Sequence, residues 1–292
     1  MKRVLIVLLA LALIPGMALF AANPPKVGLV LSTLNNPFFV TLRDGAVQEA
    51  KAAGINLIVL DSQNDSAKEM SNVEDLLSQG IDALLINPTD SDAVGAAIKL
   101  VNAKNIPVVT LDRGANSGTV VAHIASDNVA GGKMAGDFIV KALKSKGNAV
   151  ELQGIAGTSA ARDRGQGFNQ AIAGTSIKVV ARQVADFDRA KGMSVMENIL
   201  EAQPSIDAVF ADNDEMALGA LKAIQASGRK ILIVGFDATD DAVAAIKAGT
   251  MAATVAQQPA LIGSLGVDTV KSILAGKSVP KFVPVALKLI TR

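Results

Sequence analysis

From Lys26 onward, short apolar runs rich in Val, Ile and Leu alternate with longer stretches whose apolar residues recur at helical spacing. The short runs suit buried strands and the longer ones amphipathic helices, and their alternation is the sign of βαβ units and parallel sheets. The pattern predicts strands over 26–32, 55–60, 81–86, 106–111 and 120–124, with helices over 38–53, 67–79 and 91–104. It then restarts, with strands over 148–153, 177–184, 206–210, 231–236 and 252–256. The accompanying helices fall over 129–145, 160–173, 189–202, 214–227, 240–248 and 259–275. Two similar halves follow, so the expected class is α/β, with two doubly wound lobes built on parallel sheets. Asp90 or Ser91, Asp127 and Asp188 are placed to cap helix starts, and Gly54, Gly80, Gly228 and Gly249 to end helices. Ser126-Asp127-Asn128 lies where the first set of units ends, which makes it a candidate crossover.

A chain of 292 residues can fill two cores of ordinary size. Its formal charge of +1 is spread without a basic block or an acidic tail, so neither nucleic acid nor an anionic membrane is an expected partner. Residues 1–22 read differently: Lys2 and Arg3 precede the apolar run Val4 to Leu13, and Pro15-Gly16 comes before Ala18, Ala21 and Ala22. That is the order of a secretory signal peptide, with cleavage expected between Ala18 and Ala22 and an uncleaved anchor as the competing reading. The chain has no Cys, so no disulfide supports the fold and no lipid can be attached through a thioether.

The residues just after each strand form a consistent set. Asn36, Phe38 and Phe39 follow the first strand, Asn87 the third, and Asp112 with Arg113 the fourth. In the second half come Arg164, Phe187, Asn213, Phe236, Asp237 and Gln257. Open α/β sheets bind ligands at the carboxyl ends of their strands. Carboxylates, guanidinium groups and amides there suit a ligand whose hydroxyls both donate and accept, and flat rings suit its C–H faces. With no Trp, no Tyr and only nine Phe, the placement of Phe38, Phe39, Phe187 and Phe236 on this set is informative. Each residue also has a plainer role: Asn36-Pro37 and Asn87-Pro88 are turn signals, Asp112, Arg113 and Asp237 can form surface ion pairs or caps, and the rings can fill core.

These positions carry a resemblance. Ser32 to Phe39, Leu84 to Ala93, Thr110 to Arg113, His123 to Asn128, Leu152 to Arg164, Ala185 to Arg189, Ala211 to Gly219 and Val234 to Asp237 resemble the type I periplasmic binding protein family of bacterial ABC transporters. The resemblance spans essentially the whole chain after residue 22. It implies D-ribose as the ligand, contacted by the twelve residues from Asn36 to Gln257 named above, with allose, galactose or an autoinducer-type sugar as the alternative. Asp212 and Ala238 look like departures beside the pocket. It further implies a periplasmic monomer that closes around the sugar, delivers it to a membrane permease and is read by a chemoreceptor in chemotaxis. The lobes would comprise residues 26–126 plus 258–284 and 127–257 plus 285–292, joined by crossovers near 126–128, 257–259 and 282–286.

Competing functions lack their residues. Gly131-Gly132-Lys133 lacks the rest of a P-loop and Gly154-Ile155-Ala156-Gly157 the dinucleotide fingerprint, so no cofactor is expected. His123, the one His, sits in an apolar strand run and reads as structural, and no metal-ligand spacing occurs. Two cleft carboxylates would suit glycoside hydrolysis, but neighbouring guanidinium groups are expected to keep both ionised, leaving no general acid and no enzyme. A sugar-responsive repressor would need a basic helix-turn-helix where residues 1–22 stand.

Overall fold

A computed structural model describes residues 23–292; the leader assigned to residues 1–22 lies outside them. The first half runs β1 (Lys26–Leu31), α1 (Pro37–Ala53), β2 (Asn56–Asp61), α2 (Ser66–Ser78), β3 (Ala83–Ile86), α3 (Val94–Asn102), β4 (Val108–Leu111) and β5 (Ala122–Ser126). The second runs α4 (Asn128–Ala142), β6 (Lys146–Gln153), α5 (Ser159–Ile172), β7 (Ser176–Val184), α6 (Arg189–Ala202), β8 (Ala208–Ala211) and α7 (Asp214–Ser227). It continues through β9 (Leu232–Asp237), α8 (Asp240–Ala248), β10 (Ala253–Ala256) and α9 (Pro259–Leu274), then ends in β11 (Phe282–Val285) and β12 (Lys288–Thr291).

The strands form two six-stranded sheets, ordered β11-β5-β4-β3-β1-β2 and β12-β10-β9-β8-β6-β7. All pairings are parallel except β10 with β12. The two halves thus repeat one doubly wound order. Its central strands, β3, β4 and β8, are buried at every residue, as expected when helices cover both faces of a sheet. Each sheet accordingly has an apolar core on either face: one pair centres on Leu29 and Leu85 and on Val30 and Ile86, the other on Val150 and Val209 and on Phe210 and Phe236.

Local chemistry sets the ends of these elements. Asp127 and Asp188 cap α4 and α6 by accepting from Ala130 N and Lys191 N, and Gly54, Gly228 and Gly249 take the left-handed C-cap conformation. Asp90 Oδ1 accepts from Asp92 N and Ala93 N, so a capped turn occupies 90–93 and α3 begins at Val94 rather than near 91. The helix expected to reach 145 stops at Ala142, because Lys144 and Ser145 turn to positive φ (53° and 61°) and β6 starts early.

β11 and β12 lay outside the expected strands. β11 contains Pro284, which weakens a strand reading, yet it is an edge strand, where the missing N–H costs no ladder bond to a second neighbour. β12 is the opposite kind of edge, antiparallel and partly exposed.

Candidate functional site

Each sheet reverses its strand order next to its first strand, between β1 and β3 and between β6 and β8, the place where such sheets form a binding crevice. The loops after these strands meet around one narrow chamber between the two halves. Its walls are Asn36, Phe38, Phe39, Asp112, Arg113, Arg164, Phe187, Asn213, Asp237 and Gln257, joined by Ala160. Beside it the two halves touch directly: Gly114 N donates to Ser159 Oγ (2.9 Å), Ser91 N to Gly157 O (3.1 Å) and Ser159 N to Ser91 Oγ (3.2 Å).

On the first-half wall, Asn36 caps α1 by accepting from Phe38 N at 3.0 Å, which fixes the turn carrying both rings. Phe38 and Phe39 pack edge to face with centroids 5.1 Å apart. Asn87 stands one layer behind the wall. It accepts from Ser32 Oγ (2.6 Å), donates to Leu111 O (3.0 Å) and reaches Asp112 Oδ2 at 3.4 Å, so it holds the carboxyl from behind. Arg113 donates to Pro88 O (3.3 Å) and lies between two rings from opposite halves, Phe39 at 5.1 Å and Phe187 at 5.3 Å.

On the second-half wall, Arg164 donates through Nε to Asn128 Oδ1 (2.8 Å) and through Nη1 to Asp212 O (2.6 Å), with Asp237 Oδ1 3.8 Å away. Its guanidinium rests 3.9 Å above the ring of Phe236, which is therefore a floor for the arginine and not a wall of the chamber. A Cβ on Gly132 would lie 2.0 Å from Arg164 O, so the bare glycine in α4 is what lets α5 approach and seat the arginine. Asn213 caps α7 by accepting from Met216 N (3.0 Å) and donates to Phe187 O (3.2 Å), which ties one ring to one strand end. Gln257 Nε2 donates to Asp237 Oδ1 at 2.8 Å.

Several wall residues hold unusual backbone: Asp112 (φ 62°), Phe187 (φ 58°) and Asp237 (φ 116°) all sit at positive φ. Such conformations cluster at binding sites because the surrounding structure must over-determine them. Among the described residues, Asp112 Oδ1, Arg113 Nε and Gln257 Oε1 are buried with no hydrogen-bond partner in the protein. Three residues of the chamber wall thus carry two unmet acceptors and one unmet charged donor, which suits a compact polyhydroxylated molecule.

Burial pushes the Asp112 and Asp237 carboxyls above the usual carboxylate range, although Arg164 pulls both down and Arg113 helps at Asp112. Burial also pulls Arg113 down to about 10. Desolvation therefore opposes the guanidinium groups that were expected to keep both carboxyls ionised. Asp212, fully buried, is pushed up to about 8 by burial and by the charge of Glu151, against one hydrogen bond from Gly154 N (2.9 Å). His123 is structural: its Nδ1 is 2.9 Å from Thr110 Oγ1 and its ring stacks on Phe282.

Sequence reasoning missed Asn128, read only as part of a crossover, and Ala160, whose small side chain leaves no chemical signal. Asn128 was accessible in principle, being an amide at the start of the helix that packs beside Arg164.

The chain is 59% identical over 271 residues to the ribose import binding protein of Haemophilus influenzae, covering 93% of each chain. It is 55% identical over 293 residues to the ribose import binding protein of Escherichia coli, covering 100% of this chain and 99% of the other. Among solved structures, an ABC transporter solute binding protein from Mycobacterium smegmatis with bound glycerol superimposes with a TM-score of 0.89 at 36% identity, covering 92% of this chain and 94% of the other. Residues 27–278 match the periplasmic binding protein domain. That match begins inside the first strand and ends beyond the last helix, and so the chain belongs to the periplasmic binding protein family.

Proposed function

We propose that this chain is an exported solute-binding protein that takes D-ribose into the chamber between its two halves and delivers it to the permease of an ABC transporter. The observation that carries the reading is the set of orphaned polar atoms on Asp112, Arg113 and Gln257, three residues that line one chamber with the rings of Phe38, Phe39 and Phe187. The identity of 59% and 55% to two ribose import binding proteins over nearly whole chains supports ribose as the particular sugar. Asn36, Phe38, Phe39, Asp112, Arg113, Arg164, Phe187, Asn213, Asp237 and Gln257 are the proposed contacts, with Asn87 and Phe236 acting through Asp112 and Arg164. Members of this family bind solutes without transforming them, so the raised carboxyls serve recognition and not turnover.

The lobes are residues 26–126 plus 258–284 and 127–257 plus 285–292, a division supported by β11 joining the first sheet and β12 the second, with Val285, the last residue of β11, staying with the first lobe. Ligand bridging the two would favour the closed arrangement in proportion to the contacts made only there. Residues 1–22 serve as a cleaved export signal to the periplasm. Every wall of the chamber comes from one chain, so a monomer suffices, and the closed form is the shape a chemoreceptor would read.

Saturating D-ribose is expected to raise the melting temperature progressively with concentration. Binding to the native state alone stabilises by about 2.7 kcal/mol at a hundredfold excess over Kd. A calorimetric scan series checks this, and a melt that does not move with D-ribose but moves with D-allose or D-galactose would reassign the sugar.

A further inference from the structure

Asp214 is fully buried at the start of α7, next to Asn213, yet it is not a wall of the chamber. Its carboxyl points instead at β10 and at the loop that follows Asp237. Oδ1 accepts from Thr254 Oγ1 at 2.7 Å, and Oδ2 accepts from Thr239 N at 2.8 Å and Thr239 Oγ1 at 3.3 Å. Thr254 Oγ1 in turn accepts from Ala238 N at 3.2 Å.

The sheet makes room for this. Thr254 stands opposite Gly235 in the β9–β10 ladder, and a Cβ on Gly235 would lie 2.2 Å from Asp214 Oδ1. Any other residue at 235 would evict the carboxyl. The segment so anchored is Asp237-Ala238, two consecutive non-glycine residues at positive φ (116° and 58°). Residues hold such angles only where neighbouring bonds over-determine them, and here those bonds run through Ala238 N and Thr239 N to Thr254 and Asp214. On the chamber side the Asp237 carboxyl meets Gln257 Nε2 at 2.8 Å and Arg164 Nη1 at 3.8 Å.

We infer that Asp214 is a positioning residue of the binding site: through Thr254 and Thr239 it sets the strained Asp237-Ala238 backbone and so aims the Asp237 carboxyl into the chamber. The inference rests on the proposed sugar-binding function. Asn at 214 keeps the size but loses the charge, and with its oxygen held by Thr239 N its amide can only donate to Thr254 Oγ1, which reverses that bond and leaves the Thr254 hydroxyl proton without its acceptor.

The test is calorimetric titration of the full chain with D-ribose. D214N is expected to weaken binding about tenfold, and T254V by a similar factor, with T254S rescuing what T254V loses. Because the effect runs through Asp237, adding D214N to D237N should change affinity by less than about twofold, the non-additivity of residues acting as one unit. Wild-type affinity in both D214N and T254V would overturn the inference, as would losses that multiply in the D237N background. Should D214N not fold, the contrast between T254V and T254S decides alone: equal affinities overturn it. Absence of ribose binding by the wild-type chain refutes the proposed function, whereas wild-type binding with indifferent variants overturns this inference only.

Discussion

Replacing Arg164 by Met is expected to weaken sugar binding by at least about a hundredfold, close to 3 kcal/mol. Met keeps an apolar chain over the face of Phe236 but removes the cation that both buried carboxyls depend on. Asp237 lies 3.8 Å from Arg164 Nη1, and Arg164 is the strongest charge holding down the pKa of both Asp112 and Asp237. Without it the carboxyls face each other across a desolvated chamber, and breaking a buried pair on one side costs about 3–5 kcal/mol. Asn128 Oδ1 and the carbonyl of Asp212 lose their donor in the same step. Titration calorimetry of R164M with D-ribose reads the effect. Affinity within about threefold of wild type would mean that Arg164 is a lobe-internal brace and not part of the site.

The second large effect concerns Asp212, which stands out from the resemblance. Its folded-state pKa of about 8 lies above the value near 3.9 expected in the unfolded chain. The native state therefore binds the extra proton. Asp212 contributes stability that is present below about pH 4 and is lost as pH rises toward about 8. Asn at this position has no proton to lose, and its amide oxygen can still accept from Gly154 N. D212N is thus expected to exceed wild type in stability by about 1–3 kcal/mol at pH 8, with the gap shrinking toward pH 5. Denaturant unfolding at the two pH values measures this. A variant less stable than wild type at pH 8, or a gap that ignores pH, would show that Asp212 is held ionised without penalty.

Much of this architecture is legible in the sequence because its strongest signals are local. Runs such as Leu84-Leu85-Ile86 and Val108-Val109 are too apolar to lie anywhere but in a doubly covered sheet, and the polar residues that follow them are Asn87, just behind the chamber wall, and Asp112, in the wall itself. Asn36 and Asn213 were legible as residues at strand ends, and the structure shows that each also caps the helix that follows. What stayed hidden depends on contacts between distant segments. Phe236 and Phe187 look alike in sequence, yet one supports Arg164 from below while the other closes the wall beside Arg113. β11 escaped because Pro284 argues against a strand until the sheet edge beside β5 is known. The ionisation of Asp112 and Asp237 could not be read at all, since it depends on how completely the two halves exclude water.

Under the proposed function, one pentose sits in the chamber between the two halves. Isothermal titration of the purified chain with D-ribose, D-allose and D-galactose tests it most directly. One tight site per chain is expected for D-ribose, with much weaker binding of the two hexoses. No heat with D-ribose beside tight binding of another monosaccharide would contradict it.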